Sequence, residues 1–126
     1  MSRNWDAAAV RAVVNRNTVK PKHKYGASKV EIDGYKFDSK KEGQRYRELR
    51  LLEKAGKVEL LAVHEVYPLR VNGTVVAEYE LDFRWLDKST GCEVHEDVKS
   101  PATKTSVYRL KAKLMLAIYG IQIRET

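Results

Sequence analysis

His95-Glu96-Asp97-Val98-Lys99 is the stretch on which the reading of this chain turns, taken together with Tyr79-Glu80-Leu81-Asp82-Phe83-Arg84-Trp85 upstream. The upstream segment alternates, with Tyr79, Leu81, Phe83 and Trp85 on one face and Glu80, Asp82 and Arg84 on the other, which predicts a half-buried strand. Asp87-Lys88-Ser89-Thr90-Gly91 is a turn cluster, and beyond it Val94, Glu96 and Val98 alternate with Glu93, His95, Asp97 and Lys99. Asp97 and Lys99 therefore share a face. A hairpin sets its arms roughly 5 Å apart, so Asp82 and Asp97 are expected to converge with Lys99 beside them. Paired carboxylates repel, and both remain ionised most readily around a divalent cation. Oxygen ligands suit Mg²⁺ or Mn²⁺, and Mg²⁺ is commonly shared between one or two carboxylates and substrate phosphates. Taken alone, Asp-x-Lys on a strand also fits a solvated charge pair.

Charge distribution bears on that choice. The 126 residues carry a formal net charge of +7, with 43% hydrophobic and 33% charged residues, as for one compact domain. Residues 1–50 hold 13 Lys and Arg against 6 Asp and Glu, residues 51–102 hold 6 against 10, and residues 103–126 hold 5 against 1. An acidic centre between basic arms is what a nuclease needs, because the metal site must be acidic and its surroundings must hold phosphates. A purely architectural nucleic-acid binder has no reason for the acidic centre. The single Cys92 excludes an intramolecular disulfide and a cysteine zinc cluster. No apolar run reaches the length of a membrane span and no signal peptide is evident, so a soluble, cytoplasmic protein is expected, with no membrane partner.

Organisation follows from local signals. Residues 1–23 read as a basic N-terminal arm in which residues 4–15 are compatible with a short helix, and residues 24–126 as the folded domain. Asp33-Gly34 and Asn72-Gly73 are two-residue hairpin signals. Ser39-Lys40-Lys41-Glu42 has capping-box spacing and opens a helix with Tyr46, Leu49 and Leu52 inward and Gly56 at its end. Glu42 lies on the inward face, where it serves as a cap or as a third acid aimed at the site. Residues 57–69 predict one strand or two, Pro68 favouring an edge or a bend, and His64 within them reads as a surface or hydrogen-bonded histidine. A second helix is expected from about Thr103 or Thr105 to Gly120, with a stripe of Val107, Leu110, Leu114, Ala117 and Ile118. Ile121-Gln122-Ile123-Arg124 then forms a last strand, parallel to the Asp97 strand through a crossover. The fold class is α/β: a mixed sheet of about four to five strands flanked by helices.

The order helix acid, strand Asp, strand Asp-x-Lys, helix, strand resembles the core of the PD-(D/E)xK nuclease superfamily. More narrowly, Lys24-Tyr25-Gly26, Ile32-Asp33-Gly34, Phe37-Asp38-Ser39-Lys40-Lys41-Glu42, Asp82-Phe83, Glu96-Asp97-Val98-Lys99 and Tyr108-Arg109-Leu110-Lys111 are similar to a small phage and prophage family of that superfamily, over about residues 24–125. The resemblance implies a single-domain restriction-endonuclease-like core in a phage- or prophage-encoded protein of the bacterial cytoplasm. It further implies Glu42, Asp82, Asp97 and Lys99 as catalytic residues, with Asp82, Asp97, Glu42 and the Val98 carbonyl as metal ligands. Leu81 stands where the superfamily often has Pro, and a one-residue slip would exchange Asp97 for Glu96. Sharing a face with Lys99 favours Asp97. The implied activity is a Mg²⁺- or Mn²⁺-dependent DNA endonuclease that hydrolyses phosphodiesters with metal-activated water in recombination, repair or DNA processing. Lys20, Lys22, Lys24, Lys40, Lys41, Arg45, Lys104 and Lys111 are the expected phosphate contacts, and branched or junction DNA is the expected partner. A homodimer stays open, since cutting two strands usually takes two sites. The alternative is a nucleic-acid-binding module that keeps the fold without catalysis or needs a partner to become active.

Overall fold

A computed structural model describes residues 29–126, so the division expected at residue 23 and the short helix at residues 4–15 lie outside the described residues. The first element is a hairpin of β1 (Val30–Ile32) and β2 (Tyr35–Phe37). Its turn takes positive φ at both Asp33 (54°) and Gly34 (84°), the combination a two-residue hairpin requires. Helix α1 (Lys40–Lys54) follows, its start capped by the Ser39 hydroxyl, which accepts the Glu42 N–H at 3.1 Å.

Two long strands come next, β3 (Val58–Val71) and β4 (Thr74–Asp87), joined at Asn72-Gly73 with φ of 51° and 83°. Strand β5 (Cys92–Asp97) continues the antiparallel order, and helix α2 (Ser106–Tyr119), capped by Thr105, carries the chain across to β6 (Ile123–Glu125). Strand β6 pairs parallel with β5, as the crossover reading expected. The sheet is mixed, of order β3-β4-β5-β6, and Pro68 sits on its edge strand β3.

Two apolar clusters hold the layers together. Phe37, Tyr46, Leu49, Val58, Phe83 and Trp85 form one around α1, and Leu69, Tyr79, Leu81, Tyr108 and Met115 form the other around α2. Consecutive residues of β5 show how they are disposed. Glu96 receives Arg45 of α1, whereas Asp97 receives the hydroxyl of Tyr79 from the α2 cluster. Because neighbouring side chains of a strand point to opposite faces, the two clusters cover opposite faces of the sheet.

That arrangement corrects two sequence expectations. Tyr79, Leu81, Phe83 and Trp85 are all buried, as their alternation predicts, but the first two pack with α2 and the last two with α1. Strand β4 changes face at Asp82, opposite a left-handed residue of β3, so strict alternation does not hold through this point. The stripe on α2 is also rotated. Val107 and Leu110 are 59% and 58% exposed, and Tyr108 and Met115 are buried in their place, with Ala112, Leu114 and Ile118 partly covered. The Tyr108 hydroxyl donates to Glu125 of β6 at 2.8 Å, which fixes the helix about its axis in a way apolar spacing does not encode.

The small hairpin meets α1 at Gly43. A Cβ there would lie 2.6 Å from Val30 Cγ2 and 3.3 Å from Ile32 Cδ1. Alanine gains up to about 1 kcal/mol of helix propensity, but overpacking against a stiff β-branched side chain costs about 1–3 kcal/mol. Gly43→Ala is therefore expected to lower stability in denaturant titration by about 1 kcal/mol, and Val30→Ala in the same chain to recover part of the loss. A Gly43→Ala protein as stable as the parent would mean that the hairpin does not pack here.

Candidate metal centre

Glu42 stands in the first turn of α1 and uses its two carboxylate oxygens separately. Oε1 accepts the Asp38 N–H at 3.1 Å, one residue beyond the position a capping box would reach, and Oε2 lies 2.9 Å from His64 Nε2. Glu42 therefore does not close a capping box on Ser39; one oxygen holds the backbone just ahead of the helix and the other faces His64.

His64 arrives through a register change. From the Asn72-Gly73 turn the pairs run Val71 with Thr74 and Arg70 with Val75, and a regular count would set His64 opposite Leu81. The next pair is Leu69 with Ala77, so Val76 is an extra residue and the register moves by one. Val63 then pairs with Phe83 and Glu65 with Leu81, which brackets His64 opposite Asp82. His64 has φ 58° in the middle of the strand, and its ring lies against Phe37 with centroids 5.3 Å apart. The sequence reads His64 as a surface or hydrogen-bonded histidine, and it is hydrogen-bonded, to Glu42; its place beside Asp82 has no mark in the sequence.

Asp82 and Asp97 are tied together through backbone. Asp97 Oδ1 accepts the Asp82 N–H at 2.9 Å, and Asp82 Oδ2 accepts the Val98 N–H at 2.8 Å. The other oxygen of Asp97 takes the Tyr79 hydroxyl. Among the described residues, Glu42, His64 and Asp82 form the group whose ligand atoms lie within 4.8 Å of one another, and Asp97 adjoins this group without being part of it. Lys99 is on the same face as Asp97, as alternation expected, its ammonium 4.3 Å from the ring centroid of Tyr108. The Lys99 backbone is held on both sides: its N–H donates to the Thr126 carbonyl at 2.9 Å, and its carbonyl accepts Lys41 Nζ at 2.8 Å.

The electrostatics fit a cation. Burial, then the charge of Glu42, pushes the Asp82 carboxyl well above its ordinary range, against the Val98 N–H and Lys99, which favour the anion. Glu42 is also penalised by burial, but its bonds to His64 and Asp82 outweigh this and hold it below its usual value. Burial opposes charge on His64 too, and the Glu42 bond overrides it, raising the imidazole. Glu42 is thus held toward its anion while Asp82 beside it is pushed toward its protonated form, and a divalent ion among Glu42, His64 and Asp82 would favour the ionised form of both acids. Burial raises Asp97 to about 6, with the Asp82 N–H and Lys99 acting the other way.

The remaining predicted residues are dispersed. Arg45 binds Glu96 through Nε at 2.6 Å and Nη2 at 3.0 Å, and Glu96 also accepts Trp85 Nε1 and the Thr126 hydroxyl. Glu96 is fully buried and fully bonded, on the face away from Lys99. Lys104 pairs with Glu125 at 2.9 Å. Lys40 and Lys41 line a shallow groove with Val30, Gln44 and Arg47, while Lys111 is half-buried on α2. Lys20, Lys22 and Lys24 lie outside the described residues. Among the described residues no helix is long and apolar enough to cross a membrane.

Residues 22–125 match the model of a family described as "Protein of unknown function (DUF1064)". Neither a curated protein nor a solved structure matches the chain.

Two outcomes follow from the buried charges. Asp97 titrates at about 6 in the folded protein against 3.8 for the free group, so the folded state favours its protonated form. That contribution is complete below about pH 4 and is lost as pH rises through 6, amounting to about 3 kcal/mol at about 1.4 kcal/mol per unit. In EDTA, the stability of the native protein relative to Asp97→Asn should fall by this order between pH 4 and 7; a constant difference refutes the assignment. Arg45→Ala strands the buried Glu96 carboxylate and should cost about 3 kcal/mol in thermal or denaturant unfolding.

Proposed function

The chain belongs to the DUF1064 family, whose description carries no activity, and we propose from the site that it is a divalent-metal-dependent DNA endonuclease on the PD-(D/E)xK plan. The convergence of Glu42 from α1, His64 from β3 and Asp82 from β4 carries this reading. Asp97-Val98-Lys99, at and just beyond the end of the next strand, supports it, since Val98 and Asp97 fix Asp82 from two directions. The order of elements, with the acid on a helix ahead of the Asp strand and the Asp-x-Lys strand, agrees with the same plan.

The donor set fits a small dication. Two carboxylates and an imidazole meet in one partly buried corner, and the burial and the Glu42 charge that raise Asp82 are what such an ion offsets. When bound, the ion supplies an activated water and neutralises charge on a phosphate. Glu42 and Asp82 would hold it; the Val98 N–H keeps the Asp82 carboxylate from rotating away, and Asp97 holds the Asp82 backbone. Lys99, pinned through its own backbone and lying on the Tyr108 ring, offers an ammonium that orients the attacking water and stabilises developing negative charge. DNA as substrate rests on the acidic centre between basic segments and on Lys40, Lys41 and Arg47 along one groove. Processing of branched phage or mobile-element DNA, with a homodimer to cut both strands, is the setting that accords with this chemistry.

A panel of duplex, single-stranded, flap and four-way-junction DNA tests the proposal. Cleavage is expected with Mg²⁺ or Mn²⁺ and none in EDTA. Asp82→Asn should lose metal binding and cleavage together, whereas Lys99→Ala should keep the metal and lose about 10²–10³-fold in rate. Binding of DNA that is equal in EDTA and in metal, without cleavage of any substrate, would identify a non-catalytic module.

A further inference from the structure

Three donors form the candidate centre, and one of them is not an oxygen. Glu42 and Asp82 offer carboxylates, which accept Mg²⁺ and Mn²⁺ alike; His64 offers an imidazole nitrogen. Mg²⁺ prefers an all-oxygen shell and keeps much of its water, whereas first-row transition dications gain from a nitrogen ligand. We infer that His64 is a metal ligand and makes this a site for Mn²⁺ in preference to Mg²⁺. The inference rests on the metal-dependent reading above and deepens it by naming the ion.

His64 is positioned for this at some cost. A β-strand residue with φ 58° departs from the extended backbone, and strained conformations of this kind gather at functional sites. The extra residue Val76 sets His64 opposite Asp82 rather than Leu81, and Phe37 lies against the ring. Nε2 is 2.9 Å from Glu42 Oε2, close to the edge of about 3 Å between adjacent ligands of an octahedron with bonds of about 2.1 Å. A ring nitrogen of His64 also lies within 4.8 Å of an Asp82 carboxylate oxygen, which pairing with Glu42 alone does not require.

Calorimetric titration of the full chain with Mn²⁺ alone and Mg²⁺ alone, together with pulsed electron paramagnetic resonance of the Mn²⁺ complex, tests the assignment. The native protein is expected to bind Mn²⁺ at least about tenfold more tightly than Mg²⁺ and to show ¹⁴N modulation from a directly bound imidazole. His64→Gln should lose the modulation and about 10–100-fold in Mn²⁺ affinity, with less than a threefold change for Mg²⁺. Mn²⁺ bound without nitrogen coupling, or an unchanged preference in His64→Gln, overturns the inference and leaves the nuclease reading standing. Absence of binding by either ion to the native protein overturns both. If His64→Gln does not fold, the spectrum and the ion preference of the native protein decide the matter alone.

Discussion

Where β4 and β5 part, two carboxylates take over from the backbone ladder, and the rest of the molecule is arranged around that exchange. The last regular pair is Phe83 with Glu96. One step further, Asp97 accepts the Asp82 N–H and Asp82 accepts the Val98 N–H, so the strands stay joined through side chains. Each such bond contributes about 1 kcal/mol net, and together they fix the junction. Asp82 is held by this junction with its carboxylate turned toward α1, and the candidate centre depends on that orientation.

The same junction accounts for the two-sided core. Apolar side chains of β4 serve α2 up to Leu81 and α1 from Phe83 onward. Strand β3 follows suit: Val63 packs with the α1 cluster and Tyr67 and Leu69 with the α2 cluster, the change falling at left-handed His64. Irregularities in two paired strands therefore coincide, and both residues at the coincidence present chemistry rather than packing. Local departures from regular structure commonly mark functional sites, because the backbone cost is repaid by what the side chain can reach. Around this point the polar groups are assigned separate duties. Glu96 and Arg45 lock α1 to the sheet in a saturated, buried pair, Asp97 and Tyr79 lock the other face, and Glu42, His64 and Asp82 are left facing one another.

Elements with a local chemical cause were legible in the sequence. Asp33-Gly34 and Asn72-Gly73 form the turns their residues require, Ser39 caps α1 through the Glu42 N–H, and the helix after Thr105 returns a parallel strand. Of the candidate site, Glu42 and Asp82 were found by their place on an inward helix face and a strand. His64 was not, because a regular count from the hairpin turn places it against Leu81, and Val76 gives no sign in its side chain that it will be the extra residue. The stripe of α2 was misplaced for a related reason. Val107 and Leu110 satisfy helical spacing as well as Tyr108, Ala112 and Met115 do, and the bond that the Tyr108 hydroxyl donates to Glu125 favours the second set.

What the sequence determined by itself was the set of elements, their order and the acidic centre between basic segments, since periodicity, turn chemistry and charge are properties of neighbours along the chain. Tertiary structure alone decided which acid meets which partner. Asp97, the nearest candidate to Lys99 in sequence, is engaged by Tyr79 and the Asp82 N–H, while His64, eighteen residues before Asp82, arrives beside Asp82 and Glu42. That outcome depends on a one-residue register shift and a positive φ, which depend in turn on how two faces of one sheet are packed against two different helices.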